Sequence, residues 1–91
     1  MNKIFVIGST LLNSREIEFS AKALNTIENN YVEYEKPTEE WDIIEDVIYK
    51  VFNTIEWCDQ LYVVEGKDIA NDYATLCKIE YARRLKKKLF I

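Results

Sequence analysis

The sequence contains no histidine, and only two Gly, one Pro and two Cys occur among its 91 residues. The absence of histidine excludes a Ser-His-Asp or Cys-His catalytic arrangement. Cys58 and Cys77 lack the spacing and the partners of a zinc site. Neither a Walker pattern nor a complete GxGxxG is present, so classical ATP or dinucleotide binding is not expected. We therefore expect neither a cofactor nor a metal.

The chain also lacks an excess of basic residues, since its net charge is -4. Nonspecific nucleic-acid binding depends on a basic face, so we expect no direct nucleic-acid partner. The basic cluster Arg83, Arg84 and 86–88 is typical of the solvated end of a helix. No apolar run reaches the length of a membrane span, and "MNKIFVIGST" lacks a cleavable signal pattern. We expect a single small cytoplasmic domain over residues 1–91, with two reduced, semi-buried cysteines.

What is present is an alternation of apolar strands and amphipathic helices. "KIFVIGST" is typical of a central strand, ended by Gly8, and Leu61 to Val64 repeat that pattern before Gly66. Tyr31 to Glu35 predict an edge strand that Pro37 closes, and "KKLFI" predicts the last strand. The strands of such a chain form the middle layer of the fold.

Three helices are predicted between these strands. The first carries a capping box at Asn13 and Glu16, the second begins at Thr38, and the third begins at Asn71 or Asp72. The apolar stripes of the first two helices are Ile17, Ala21, Leu24 and Ile27, and Ile44, Val47, Ile48, Val51 and Ile55. The order β-α-β-α-β-α-β predicts a small Rossmann-like or flavodoxin-like three-layer α/β sandwich with a four-stranded parallel sheet in the order 2-1-3-4.

In such a sheet a crevice opens at the carboxyl ends of the first and third strands. It would be lined by Gly8, Ser9 and Thr10, by Glu65 and Gly66, and by the helix start from Asn71 to Lys78. Helix amino termini with nearby hydroxyl groups suit anions and sugars. The same Gly-Ser-Thr segment also suits an ordinary turn from a strand into a helix.

Three segments together resemble the nucleoside 2-deoxyribosyltransferase family: "IFVIGST", "CDQLYVVEG" and "TLCKIEYARRLKKKLFI". This group includes the 2'-deoxynucleoside 5'-phosphate N-hydrolases and small phage and bacterial proteins. The family's final helix carries Glu-Ile-Gly-Tyr-Ala or Glu-Ile-Glu-Tyr-Ala, which this chain matches from Ile79 onward. Ser9 matches the Gly-Ser of the hydrolase branch. The resemblance covers most of the chain in element order, with its specific residues mainly in the last third.

The resemblance places Lys78 where the family has its nucleophilic Glu. A carboxylate can attack an oxocarbenium-like carbon and leave it again, whereas a protonated lysine has no lone pair to offer. Glu80 lies about 200° further around the helix and so points away. Three roles for Lys78 follow: an exposed surface lysine, a cation that binds an anionic ligand or a partner carboxylate, or a sign of a shifted register in which Glu80 or Glu65 carries the chemistry.

Other positions also depart from the family pattern. "NDYAT" stands where small residues are expected, and its Asp72 would oppose a 5'-phosphate while Tyr73 could stack on a base or ribose. The family's acidic partner on the preceding helix has no clear match, and Glu45 and Asp46 are candidates by proximity in sequence alone.

We therefore predict a binding domain for a nucleoside- or nucleotide-derived ligand, without turnover. Its site would contain Gly8, Ser9, Thr10, Gly66, Asp72, Tyr73 and Lys78. One alternative is an active N-glycoside hydrolase or deoxyribosyltransferase that uses another carboxylate. The other is a protein-interaction protein of the phage-inhibitor type, with an acidic surface at Glu39, Glu40, Asp42, Glu45 and Asp46 around Trp41. The resemblance also implies a homodimer or a higher homo-oligomer.

Overall fold

The computed structural model describes residues 1–36, 44–64 and 73–91. Within these residues, strands and helices alternate in the order that the sequence predicts. The elements are β1 (Asn2–Ile7), α1 (Thr10–Asn25), β2 (Asn30–Tyr34), α2 (Ile44–Trp57), β3 (Gln60–Val63), α3 (Tyr73–Arg84) and β4 (Lys88–Phe90).

The four strands form one parallel sheet in the order β2-β1-β3-β4. β1 pairs on both of its sides, so that Ile4 lies opposite Val32 of β2 and opposite Gln60 of β3. Parallel neighbours require crossover connections, which the helices supply. The predicted α/β class and strand order are confirmed.

β1 is buried on both faces because successive side chains of a strand point to opposite sides of the sheet. Ile4 and Val6 pack with Ile17 and Ala21 of α1. On the other face the core consists of Phe5, Ile7, Ile55, Cys58, Leu61, Val63, Ile79 and Ala82. α1 therefore covers one face, and α2 and α3 cover the other. Each fully buried aliphatic side chain contributes about 2 kcal/mol of hydrophobic stabilisation.

The predicted boundaries of α1 are wrong at both ends. The expected capping box at Asn13 and Glu16 falls inside the helix, which begins at Thr10 because the chain leaves β1 and enters the helix almost directly. The helix ends at Asn25. Ile27, which the sequence places on the apolar stripe, therefore lies beyond the helix and is 56% exposed.

Three expectations about individual side chains are also corrected. Ile48 is 49% exposed although it lies on the same side of α2 as buried Ile55, because α2 packs against the core from Val51 onward, one turn further along the helix. Cys77 is exposed rather than semi-buried. Lys87 is partly buried rather than solvated, because its ammonium group donates to the backbone carbonyl of Glu56 over 2.8 Å.

β2 begins and ends one residue earlier than predicted, so Glu35 follows the strand instead of ending it. Pro37, Thr38, Asn71 and Asp72, which the sequence assigns to a strand end and to helix starts, lie outside the described residues. Within the described ranges, no helix has the length and apolar character needed to cross a membrane.

Candidate functional site

Gly8 directly follows β1, at the point where three elements meet. A Cβ atom at this position would lie 3.1 Å from the carbonyl oxygen of Val64 and 3.2 Å from Cδ1 of Ile17. These contacts would be unusually tight for a Cβ atom, so glycine lets β1, the residue after β3 and α1 approach closely without crowding. Close packing is thus a sufficient reason for glycine here, independent of any ligand.

Ser9 lies directly after Gly8 and is the N-cap of α1, in an extended conformation with φ -76° and ψ 107°. Its hydroxyl group makes no capping hydrogen bond to the helix. Thr10 is the first residue of α1. The amino terminus of α1 therefore stands at the carboxyl edge of the sheet, as the predicted crevice requires.

The side of α3 that faces the sheet is defined by Thr75, Ile79 and Ala82, all of which are buried. These positions follow the spacing of one helix face. Lys78 belongs to the same face by its spacing, and its side chain is 15% exposed. Lys78 is therefore not a solvent-exposed surface lysine.

The ammonium group of Lys78 forms an ion pair with Glu35. Nζ of Lys78 lies 2.6 Å from Oε1 of Glu35, whose side chain is 10% exposed. The backbone N–H of Glu35 donates to the carbonyl oxygen of Val6 over 2.9 Å, which fixes this residue at the carboxyl end of β2. The pair therefore joins α3 to a strand end 43 residues earlier in the chain.

Two opposite charges at this distance form a short, charge-assisted hydrogen bond. Because both side chains are largely removed from water, the pair has lost much of its hydration, and either charge alone would be costly there. The sequence predicts a site role for Lys78 but gives Glu35 none. The alternation of β2 residues, which puts Tyr31, Glu33 and Glu35 on one face, is the signal that could have found it.

Glu80 lies on the other side of α3, as the helical rotation predicts. Its carboxylate is 50% exposed and lies 3.3 Å from Nη1 of Arg83 and 3.6 Å from Nε of Arg84. Asp46 is exposed on α2, within which Glu45 also lies. The structure therefore brings neither Glu80 nor Asp46 into contact with Lys78.

Tyr73 begins the described part of α3 and is 77% exposed, so its ring is accessible. The other predicted positions of this edge, Glu65, Gly66 and Asp72, lie outside the described residues. The same applies to most of the predicted acidic surface, namely Glu39, Glu40, Trp41 and Asp42.

A separate cleft of about 390 Å³ lies between β2 and the last turns of α2. Its lining residues are Met1, Tyr31, Glu33, Asn53, Thr54 and Trp57. The rings of Tyr31 and Trp57 meet edge to face with centroids 5.5 Å apart, and Nζ of Lys3 lies 5.7 Å from the Trp57 ring. No pattern in the sequence predicts this cleft.

The two cysteines occupy different environments. Cys58 is buried and Cys77 is exposed, and both are free thiols. Burial raises the pKa of the Cys58 thiol, because the charged thiolate is disfavoured away from water. Across residues 1–36, 44–64 and 73–91, His, Cys, Asp and Glu side chains form no group of three that could hold a metal ion.

Comparisons with known proteins do not assign the chain to a family. No protein-family model matches the sequence, and no curated protein and no solved structure is significantly similar to it. The resemblance to the nucleoside 2-deoxyribosyltransferases therefore stays a prediction from the quoted motifs.

Proposed function

We propose that the protein binds a nucleoside- or nucleotide-derived small molecule at the carboxyl edge of its sheet and does not cleave the glycosidic bond. The site would lie between the amino terminus of α1, at Ser9 and Thr10, and the first turns of α3, at Tyr73 and Lys78. Crevices at this edge of parallel sheets are the usual ligand sites of such folds.

The observation that carries the proposal is that Lys78 lies on the sheet-facing side of α3. Its side chain is 15% exposed, so position 78 faces the interior as a nucleophile position would. It holds a cation that is already engaged by Glu35. The position is thus suited to contact a ligand, but its chemistry is that of a hydrogen-bond donor.

Glycosidic turnover requires a carboxylate that can attack the anomeric carbon. Glu35 lies nearby, but its Oε1 accepts a hydrogen bond from Lys78, which lowers the availability of that lone pair. Position 78 itself offers no carboxylate, because it holds a lysine. Both observations support binding without turnover.

The proposal is tested by thermal shift with a panel of nucleosides, nucleotides, cyclic nucleotides and ADP-ribose. At least one class should raise the melting temperature, and Tyr73→Ala should weaken its binding. Phe19→Ala is the matched control, because Phe19 is 76% exposed on α1 and Tyr73 is 77% exposed. A correctly folded protein that shows no shift with any class would overturn the proposal.

Turnover is measured on the same samples by chromatography of the released base. We expect no base release from deoxynucleosides or their monophosphates at high protein concentration. Base release by the wild type that Glu80→Ala abolishes would instead establish an enzyme that uses a different carboxylate.

An interaction protein is the second candidate, because α2 exposes two large apolar side chains. Ile48 is 49% exposed and Tyr49 is 69% exposed, and Asp46 adds an exposed carboxylate beside them. Exposed aromatic and apolar residues are enriched at protein interfaces. Pull-down from bacterial lysate with the wild type and with a Tyr49→Ser variant tests this function, and stoichiometric recovery that Tyr49→Ser abolishes would favour it.

We also propose that the protein is cytoplasmic and that it self-associates. Light scattering at several protein concentrations measures the oligomeric state, and a mass above that of one chain would support a homodimer or a higher homo-oligomer.

A further inference from the structure

Lys78 is the natural anion-binding group of the proposed site, yet the structure places a carboxylate directly on it. Nζ of Lys78 and Oε1 of Glu35 are 2.6 Å apart, with side-chain exposures of 15% and 10%. Water and salt screen such a pair less than they screen surface ions. Because the two charges sum to zero, Lys78 presents little net positive charge to an approaching ligand.

Lys36, the neighbouring cation, does not supply the positive charge that Glu35 offsets on Lys78. Lys36 follows Glu35 directly, but it is exposed, and its ammonium group lies 5.7 Å from the ring of Tyr34. Tyr34 packs against the core on the α1 face of the sheet, whereas the partner of Glu35 is on α3, which covers the opposite face. Lys36 is therefore held away from the Lys78 ammonium group.

We infer that Glu35 determines the charge of the ligand: it compensates Lys78, so the site accepts an uncharged, hydroxyl-rich ligand and rejects the phosphorylated form. The inference rests on the proposed function for the location of the site. A phosphate brought to Lys78 would also approach the Glu35 carboxylate, and repulsion between like charges at this range weakens binding by about tenfold or more.

An uncharged sugar meets no such repulsion. An ammonium group has three N–H donors, so a ligand hydroxyl group can accept a hydrogen bond from Lys78 while another N–H stays with Glu35. The ion pair can stay intact while such a ligand binds. The same pair that excludes a phosphate therefore suits a ribose or deoxyribose hydroxyl.

The test compares four 2'-deoxynucleosides with their 5'-monophosphates by isothermal titration calorimetry. The proteins are the wild type, Glu35→Gln, Lys78→Gln and the double variant Glu35→Gln/Lys78→Met. Glu35→Gln keeps the side-chain shape and removes the compensating charge, so Lys78 becomes free to bind an anion. Folding of each variant is checked by circular dichroism and by urea unfolding.

In the wild type, we expect the monophosphates to bind about tenfold more weakly than the nucleosides. Glu35→Gln should reverse this order, and the gain should fall with rising salt. Lys78→Gln, which keeps the carboxylate, should bind monophosphates more weakly still, and the double variant should show no gain. Equal or tighter binding of monophosphates by the wild type overturns the inference, and so does an unchanged ratio in a folded Glu35→Gln variant. If Glu35→Gln does not fold, Lys78→Gln decides in the same way, because monophosphate binding that does not weaken there overturns the inference.

Inorganic phosphate separates this inference from the proposed function. If no nucleoside or nucleotide binds the wild type, the proposed function fails, yet Glu35→Gln should still gain salt-sensitive phosphate binding that the wild type and the double variant lack. In that case, the absence of this gain overturns the inference as well.

Discussion

Two Lys–Glu ion pairs of this protein have nearly the same contact distance and very different surroundings. Lys78 and Glu35 are 2.6 Å apart with side-chain exposures of 15% and 10%, whereas Lys22 and Glu18 are 2.8 Å apart with exposures of 71% and 46%. The first pair joins residues 43 positions apart, and the second lies within one turn of α1. Distance alone therefore does not measure what an ion pair contributes.

The surroundings determine what each ion pair contributes, because removing a charged group from water is costly. Lys22 and Glu18 keep most of their hydration, so their attraction is weak and water replaces a lost partner. Lys78 and Glu35 have given up much of their hydration, so the attraction between them is stronger and its loss costs more. The exposed pair adds little to the fold, while the buried pair joins α3 to the carboxyl end of β2 and, in our proposal, determines the charge of the candidate site.

The two ion pairs should differ most in the free energy of unfolding that is lost when one partner is removed. Lys78→Met or Glu35→Gln should lower the free energy of unfolding by about 3 kcal/mol, because the remaining buried charge loses its ion-pair partner. The matched variants Lys22→Met and Glu18→Gln should change it little. Urea unfolding near neutral pH measures all four. The double variant Lys78→Met/Glu35→Gln should recover much of the loss, and equal losses at both pairs would contradict the comparison.

The rate of Cys58 alkylation should report the same difference through a second observable. Cys58 is fully buried and reacts with iodoacetamide only after the chain opens, whereas Cys77 is exposed and reacts in the folded state. In a Cys77→Ser background, Glu35→Gln should accelerate Cys58 alkylation by about 100-fold, since each 1.4 kcal/mol or so is tenfold in the opened population. Mass spectrometry follows the reaction, with Glu18→Gln as the control. A Glu35→Gln rate equal to that control would show that the buried pair does not stabilise the core around Cys58.

Salt should also affect the coupling energies of the two pairs differently, although this difference is smaller than the two described above. At about 1 M NaCl the screening length falls to about 3 Å, so attraction across an exposed pair is largely removed. The coupling energy of Lys78 with Glu35, measured by a double-mutant cycle at low and high salt, should keep more than half of its value. That of Lys22 with Glu18 should fall to near zero. A parallel decline of both would mean that water reaches Lys78 freely.

This comparison also shows which features of the structure can be predicted from the sequence. The order of the sheet follows from the uninterrupted apolar runs of β1 and β3, because a strand buried on both faces must lie inside a parallel sheet. The Lys22–Glu18 pair is local and can be read from its spacing. The Lys78–Glu35 pair cannot, because it depends on the three-dimensional approach of α3 to the end of β2.

Local signals failed where two patterns competed. Asn13 and Glu16 match a capping box, but the tight turn after Gly8 allows α1 to begin at Thr10. The special position of Lys78 is predicted from the family resemblance. Its spacing of three residues from Thr75 and four from Ala82 places it on the sheet-facing side of α3, and a lysine on such a face requires a partner.

The smallest expected effect concerns the pH dependence of the exposed pair. The hydrogen bond from Lys22, together with its positive charge, lowers the pKa of Glu18 below its ordinary value of 4.5. A carboxylate whose pKa is lower in the folded state stabilises the fold above the ordinary value, and this contribution is lost as the pH falls through the lowered one. Lys22→Met should therefore return the pKa of Glu18 toward 4.5, as carboxyl NMR titration would show. The small stability difference between Lys22→Met and the wild type should be present near pH 7 and vanish in strong acid, because Glu18 is then protonated in both proteins. A difference that persisted there would mean that Lys22 acts through packing of its aliphatic stem rather than through its charge.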